Sequence, residues 1–351
     1  MNKLLETVTK FPQTEVWNDS CSCKELAYAF ANGAVGATTN PVIVLQVLKS
    51  ELAQWEPTIH EVIADHPTWS EDEVSWEIIK CMGAKASGLL LPKFEESKGK
   101  QGRISFQTNA KFYNNVPKMI AHAVELASVT VNSQIKAPAS KAGIEVFEEL
   151  TYRGISINAT VSFTVAQAVA VAQAVERGLE RRVKEGLPID TMNPVCTLMA
   201  GRIDDHLKND LNAKGLLIEP DVMEYAGVAV VKHAYQIYTE RNYRTTLLVA
   251  AYRNPYHWLE FVGGKIVLTI PYGWQVKYNN AEVDVDCLMD RPVNPKILAK
   301  LMKMPEFVKA YAEDGLKPEE FEHYGAFVAT LNQFLGGYDD LCKLIRGYMV
   351  K

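Results

Sequence analysis

The sequence has no block of basic residues, no long apolar run and no paired cysteine motif. Its 37 Lys and Arg and 42 Asp and Glu are scattered along 351 residues, which gives a net charge of -5. Charge scattered in this way does not follow a phosphate backbone, so we expect no nucleic-acid partner. No apolar run approaches the roughly 20 residues that cross a bilayer, and residues 1–10 lack the apolar core of a signal peptide. We therefore expect a cytoplasmic protein without a membrane partner.

Motifs for metal and cofactor binding are also absent from the sequence. The one close cysteine pair, Cys21 and Cys23, has neither CxxC spacing nor a second pair to complete a zinc site. The seven histidines form no HxH or HExxH arrangement, and no GxGxxG or GxxxxGK[ST] follows an early strand. The GxSxG elbow, which carries the nucleophilic serine of Ser-His-Asp hydrolases, is missing as well. We expect an enzyme that needs no metal and no cofactor.

What the sequence does contain is a regular alternation of short β-type segments with longer helical patterns. The predicted strands are residues 14–19, 34–40, 103–108, 133–138, 156–163, 194–199, 245–252 and 265–271. Eight such units favour an α/β protein with a (β/α)8 TIM barrel. Residues 42–100 are predicted to form a helical insertion after strand 2, and the tail is also predicted to be helical. We divide the chain into a barrel catalytic domain, 1–280, and a helical C-terminal extension packed on it, 281–351.

Polar residues in the predicted strands fall repeatedly on one face. Side chains alternate across a strand, so the positions that share a face can be read from the sequence. The sets are Lys136 with Gln134; Asn158 with Thr160 and Ser162; Ser105 with Gln107; Thr197 between Cys196 and Leu198; and Thr38 with Asn40. This pattern indicates a polar site inside the barrel near its C-terminal mouth. The alternative is a set of hydrogen-bonded residues that fill a packed interior.

Lys136 is the most informative of these residues. Burial lowers the pKa of a lysine, and the neutral amine can attack a carbonyl to form a Schiff base. Such a lysine needs a nearby group that moves protons, and Asp19 at the end of the first strand is the candidate. Its alternative role is that of a helix N-cap in the stretch NDSC.

Five motifs in order resemble the transaldolase family. They are GATTNP, IKAPASKAGIEVFEEL, GISINATVSFTVAQA, AGRIDD and YRNP, and the match runs from about residue 15 to residue 271. The resemblance implies a class I barrel enzyme that moves a dihydroxyacetone unit between sugar phosphates, with a role in the pentose phosphate part of carbohydrate metabolism. Sugar phosphates would be its small-molecule ligands. The sequence leaves open whether the protein forms a homodimer.

The resemblance also implies roles for individual residues. Lys136 would carry the Schiff base, Asp19 would transfer protons, and Thr160 would position the catalytic water. Thr38, Asn40 and Asn158 would contact the substrate or orient the lysine, with Thr197 at a family serine position. Arg202 and Arg253 would bind the phosphate, since a guanidinium can hold an oxyanion with two hydrogen bonds. The alternative for the two arginines is a pair of surface salt bridges.

Three positions depart from the family pattern. Gln107 replaces the glutamate that activates water in typical transaldolases and matches the fructose 6-phosphate aldolase branch; an amide cannot act as a general base. Met199 occupies the position on strand six where this branch carries a tyrosine. Ala251 replaces a small hydroxyl residue beside the anion site. Two alternatives to a transferase therefore stay open: a lyase that releases free dihydroxyacetone, and a barrel with reduced catalysis that binds a sugar phosphate.

Overall fold

The chain folds into a closed barrel of eight parallel strands, and the predicted TIM barrel is confirmed. The computed structural model describes residues 2–350. The strands are β1 Thr14–Asn18, β2 Ala34–Thr38, β3 Ile104–Gln107, β4 Ser133–Pro138, β5 Ile157–Ser162, β6 Val195–Met199, β7 Thr246–Ala250 and β8 Ile266–Ile270. They are hydrogen-bonded in chain order, and β1 pairs with β8 to close the barrel. All strands are parallel, so their C-terminal ends meet at one mouth.

Helices surround the barrel and extend it in two places. Those of the first half are α1 Lys3–Lys10, α2 Cys23–Ala31, α3 Pro41–Ser50, α4 Leu52–Asp65, α5 Glu71–Glu96, α6 Val116–Ala127, α7 Lys141–Tyr152 and α8 Val165–Lys184. Those of the second half are α9 Ala200–Ala213, α10 Pro220–Glu224, α11 Ala226–Glu240, α12 Tyr256–Leu259, α13 Tyr272–Asn279, α14 Pro295–Leu301, α15 Pro305–Tyr311 and α16 Gly325–Met349. The predicted insertion after strand 2 is therefore the three helices α3 to α5, and the helical tail is α14 to α16.

The insertion and the tail pack against each other. Helix α16 lies on α3 and α5, and its buried residues Phe327 and Leu331 join the main hydrophobic core. Tyr338 Oη donates to Asp72 Oδ1 at 2.5 Å, and Arg346 forms an ion pair with Glu71. Because these contacts join segments far apart in sequence, they fix the tail beside the barrel mouth. No helix in residues 2–350 has the length and apolar character needed to cross a membrane.

The barrel interior has an apolar cluster of its own. It contains Trp17, Val195, Leu248, Ala250 and Val267. A Cβ atom at Gly36 would lie 2.7 Å from the Trp17 ring, so glycine at this position makes room for the indole. This cluster lies on β1, β6, β7 and β8, and most of the polar residues predicted for the site lie on β2 to β5.

Candidate active site

Lys136 lies in the wall of a cavity at the C-terminal mouth of the barrel. Its residue is 3% exposed, and it is in register with Gln107 on β3 and Asn158 on β5. The cavity has a volume of about 350 Å³. Six of the residues predicted from the sequence line it: Asp19, Asn40, Lys136, Met199, Arg202 and Arg253. The other five, Thr38, Gln107, Asn158, Thr160 and Thr197, are buried and do not line it.

Lys136 and Asp19 influence each other's protonation. Burial lowers the pKa of Lys136, and the negative charge of Asp19 partly opposes that shift. Burial raises the pKa of Asp19, and the charge of Lys136 and a hydrogen bond from Thr38 partly oppose it. Burial thus disfavours the charged form of both groups. The arrangement can supply a neutral amine next to a carboxyl group that exchanges protons.

Asp19 is held by the hydroxyl group of Thr38 and does not cap a helix. Thr38 Oγ1 donates to Asp19 Oδ1 at 2.6 Å, and Thr38 Oγ1 also lies 2.6 Å from Thr269 Oγ1. Helix α2 is capped by Ser22, whose Oγ accepts from Glu25 N at 3.3 Å. The N-cap alternative for Asp19 is therefore wrong. Thr269 on β8 was not predicted, because a single threonine in an apolar strand gives no functional signal.

A buried chain of hydrogen bonds lies beside Lys136. Thr197 Oγ1 donates to Asn158 Oδ1 at 2.6 Å, and Asn158 Nδ2 donates to Ser105 Oγ at 3.0 Å. Ser105 Oγ in turn donates to Gln134 Oε1 at 3.1 Å. These hydrogen bonds fix the amide plane of Asn158, which is in register with Lys136. Asn158 is therefore held rigidly beside Lys136, and its two amide atoms are hydrogen-bonded to Thr197 and Ser105.

Asn40 has both a structural position and access to the cavity. It is the N-cap of α3, where its Oδ1 accepts from Ile43 N at 3.0 Å. Its side chain also lines the cavity. Capping by Asn40 therefore places an amide group at the mouth of the barrel, where α3 begins.

Gln107 Oε1 on β3 and Thr160 Oγ1 on β5 are among the twelve buried side-chain polar atoms that lack hydrogen-bond partners within residues 2–350. An unpaired polar atom in a protein interior costs about 1–3 kcal/mol. Such a cost in the strands on either side of β4 is consistent with groups that serve a ligand or a reaction.

The backbone of β5 is irregular directly after Thr160. Val161 has a φ of 51°, which is unfavourable for a β-branched residue. Between Ala159 and Ser162, three steps along β5 match two steps along β6, from Cys196 to Leu198. This bulge places Ser162 on the face of Leu198, which belongs to the outer core. The prediction that Ser162 shares a face with Asn158 and Thr160 is therefore wrong.

The two arginines make different contacts at the rim. Arg202, in the first turn of α9, donates from Nη2 to Gln333 Oε1, while its Nε is buried without a partner in the described chain. Burial lowers the pKa of Arg202, and the charge of Arg253 adds to this shift. Arg253 donates to the Asp205 carboxylate, from Nε at 3.0 Å and from Nη2 at 2.7 Å. The salt-bridge alternative thus describes Arg253, although the side chain of Arg253 also lines the cavity.

A buried pair joins the segments that carry the two arginines. His257 Nε2 lies 3.0 Å from Asp204 Oδ2, and both side chains are fully buried. His257 Nδ1 accepts from the backbone N of Arg253 at 3.1 Å, so the ring proton lies on Nε2 and faces Asp204. Asp204 Oδ1 accepts from Gly227 N at 2.8 Å. The pair therefore holds the start of α9 against the chain that follows β7.

The tail completes the cavity. Gln333 and Phe334 of α16 line it together with Trp274 of α13. No sequence pattern predicted them, because a glutamine and a phenylalanine on an amphipathic helix are ordinary residues. Within residues 2–350, no cluster of three His, Cys, Asp or Glu side chains has the arrangement of a metal site.

Comparisons with known proteins agree with this geometry. The family model described as transaldolase/fructose-6-phosphate aldolase matches residues 16–324. The chain is 29% identical over 206 residues to "Transaldolase 2" of Streptomyces avermitilis, which covers 58% of this chain and 55% of that protein. It is 29% identical over 214 residues to "Transaldolase" of Mycobacterium ulcerans, which covers 59% of this chain and 55% of the relative. The match thus spans little more than half the length of these curated relatives. The chain belongs to the transaldolase/fructose-6-phosphate aldolase family.

Proposed function

We propose that the protein is a transferase that moves a dihydroxyacetone unit between sugar phosphates through a Schiff base on Lys136. The observation that carries the proposal is the buried amine of Lys136, next to Asp19 in a cavity with two arginines at its rim. A neutral lysine, a proton carrier and a cationic rim are the groups that such a reaction on a phosphorylated ketose requires.

The chemistry proceeds in two halves. The Lys136 amine attacks the ketose carbonyl, the carbonyl oxygen leaves as water, and a protonated imine remains. Asp19 takes the proton of the hydroxyl group on the second carbon from the imine carbon, as the bond between that carbon and the carbon next to the imine breaks. The bonding electrons move into the imine to give an enamine, and an aldose phosphate leaves. In the second half the enamine attacks the acceptor aldehyde, Asp19 returns its proton, and water hydrolyses the imine.

Trapping with borohydride tests the role of Lys136. Reduction in the presence of dihydroxyacetone should add a stable mass to the peptide that contains Lys136, because borohydride converts the imine into a secondary amine. Mass mapping of the digested protein measures the label. A Lys136→Met variant should show no label, and Lys232, which is buried beside Glu260, is an internal control.

A label on another lysine would contradict the assignment of Lys136. The absence of any label in a folded protein would favour the alternative in which the barrel binds sugar phosphates with reduced catalysis.

The second candidate function is a lyase that releases dihydroxyacetone. The observation that favours it is Gln107, whose amide is in register with Lys136 and cannot act as a general base. Against it stands Met199, which lines the cavity and provides no hydroxyl group. We therefore place transfer first.

Acceptor dependence separates the two candidates. For a transferase, a ketose phosphate alone should give little free dihydroxyacetone, and an added aldose phosphate should raise turnover about 10-fold or more, because the enamine waits for its acceptor. Chromatography of the products measures both quantities. A Gln107→Glu variant should shift a lyase towards transfer. Dihydroxyacetone released as the main product without any acceptor would overturn the transferase proposal.

A further inference from the structure

The guanidinium group of Arg253 is already occupied by protein groups. Its Nε and Nη2 donate to the carboxylate of Asp205, and its Nη1 donates to the carbonyl oxygen of Tyr252 at 2.9 Å. The two nitrogens that face Asp205 form the fork that would hold two oxygens of a phosphate. Asp205 therefore takes the place that an anionic ligand would need.

Arg202 differs, since part of its guanidinium is free. Its Nη2 donates to Gln333, and its buried Nε has no partner in the described chain. Asp205 lies three residues further along α9, so the two side chains are neighbours on the helix surface. The pKa of Arg202 is sensitive to the charges of both Arg253 and Asp205, which places the three charged groups close together. The rim thus has two positive charges and one negative charge.

The ion pair between Asp205 and Arg253 can be opened at low cost. Their side chains are 37% and 36% exposed, respectively. A pair with this exposure contributes little to stability, because water screens the two charges. Its neighbour Asp204, in contrast, is fully buried and held by Gly227 and His257. Asp204 fixes the start of α9, while Asp205 is free to turn away from Arg253 without disturbing that contact.

We propose that Asp205 is a specificity-determining residue of the anion site, whose carboxylate occupies Arg253 and must be displaced when a phosphate group binds. The proposal rests on the proposed function, which places the phosphate of the sugar at the two arginines. Asp205 competes with the ligand and weakens the binding of every phosphorylated substrate and product. Its removal should therefore strengthen phosphate binding, whereas the loss of a purely structural ion pair would leave binding unchanged or weaken it.

Calorimetric titration with inorganic phosphate tests the proposal on the full chain. Asp205→Asn should bind phosphate about two- to fivefold more tightly than the wild type, which corresponds to the loss of one exposed competing pair. Glu176→Gln is the matched control, because Glu176 forms a similar pair with Arg244. This control changes the net charge by the same amount away from the cavity and should leave phosphate binding unchanged. Asp205→Ser is a second variant that removes the carboxylate.

An Arg253→Ala background shows whether the gain depends on Arg253. In that background the additional change Asp205→Asn should alter phosphate affinity by less than about twofold, because no competing pair is left to remove. Equal or weaker phosphate binding by folded Asp205→Asn and Asp205→Ser would overturn the proposal, and so would an equal gain in Glu176→Gln. If no variant binds phosphate, both this proposal and the phosphate assignment fail. Borohydride trapping with dihydroxyacetone, which has no phosphate, then still tests Lys136 separately.

Discussion

At the scale of single residues, the main feature of the protein is a buried lysine beside a partly exposed aspartate. Lys136 on β4 and Asp19 after β1 line one cavity. Burial lowers the pKa of Lys136 and raises the pKa of Asp19, so that it favours the neutral form of each group. Thr38 donates to the carboxyl group and is itself hydrogen-bonded to Thr269, and neither hydroxyl lies near Asp19 in sequence. The reactivity that we propose for Lys136 therefore depends on its surroundings.

The pH dependence of trapping is the prediction at this scale. The rate of borohydride trapping with dihydroxyacetone should rise with pH and reach its midpoint below 10.5, the ordinary pKa of lysine. The reason is that only the neutral amine attacks a carbonyl, and burial lowers the pKa of Lys136. In Asp19→Asn the midpoint should move lower still, because the carboxylate no longer stabilises the ammonium form. A wild-type midpoint at or above 10.5 would contradict the prediction.

The same shift has a consequence for stability. Since the pKa of Lys136 is lowered in the fold, the unfolded chain binds more protons between that lowered value and 10.5. The free energy of unfolding of the wild type should therefore rise with pH in this window, relative to that of Lys136→Met. Urea unfolding of both proteins at several pH values measures the difference.

At the scale of secondary-structure elements, the site depends on the contact between α9 and the chain after β7. A Cβ atom at Gly201 would lie 1.9 Å from the carbonyl oxygen of Ala251 and 2.6 Å from Arg253 Cγ. Ala251 itself has a φ of 65°, an unfavourable value for a residue other than glycine. The buried pair of Asp204 and His257 joins the same two segments. This close contact sets the distance between the two arginines.

Gly201→Ala is the prediction for this contact. The added methyl group must push α9 away from Ala251, which should lower the free energy of unfolding by about 1–3 kcal/mol. It should also reduce turnover by about 10-fold or more, since Arg202 moves with the helix. Denaturant unfolding and steady-state kinetics measure the two effects.

A matched control is Gly347→Ala in α16, where a Cβ atom meets nothing within 4 Å. This change should stabilise the protein by about 0.5–1 kcal/mol, as alanine does in a helix. Unchanged stability and turnover in Gly201→Ala would show that the contact does not control the site.

At the scale of the whole molecule, segments from both ends of the chain complete the cavity. Helix α16 packs on α3 and α5 of the insertion and contributes Gln333 and Phe334 to the cavity wall. Removal of the tail would expose the buried faces of Phe327 and Leu331 and would release Arg202 from Gln333. The division at residue 280 stays a prediction, and these contacts are a physical reason to expect that the two parts depend on each other.

The sequence by itself determined the barrel and the residues at the centre of its site. Alternating β-type and helical segments predicted the eight strands, because the period of a strand and the need to bury its faces are local properties. Lys136, Gln107 and Asn158 could be placed together because parallel strands in register bring equivalent positions side by side. The tertiary structure alone decided which groups surround them. Contacts between distant segments place Thr269 and Gln333 at the site and pair Asp205 with Arg253. The bulge at Val161 turns Ser162 to the other face of β5, which the simple alternation of side chains along a strand does not predict.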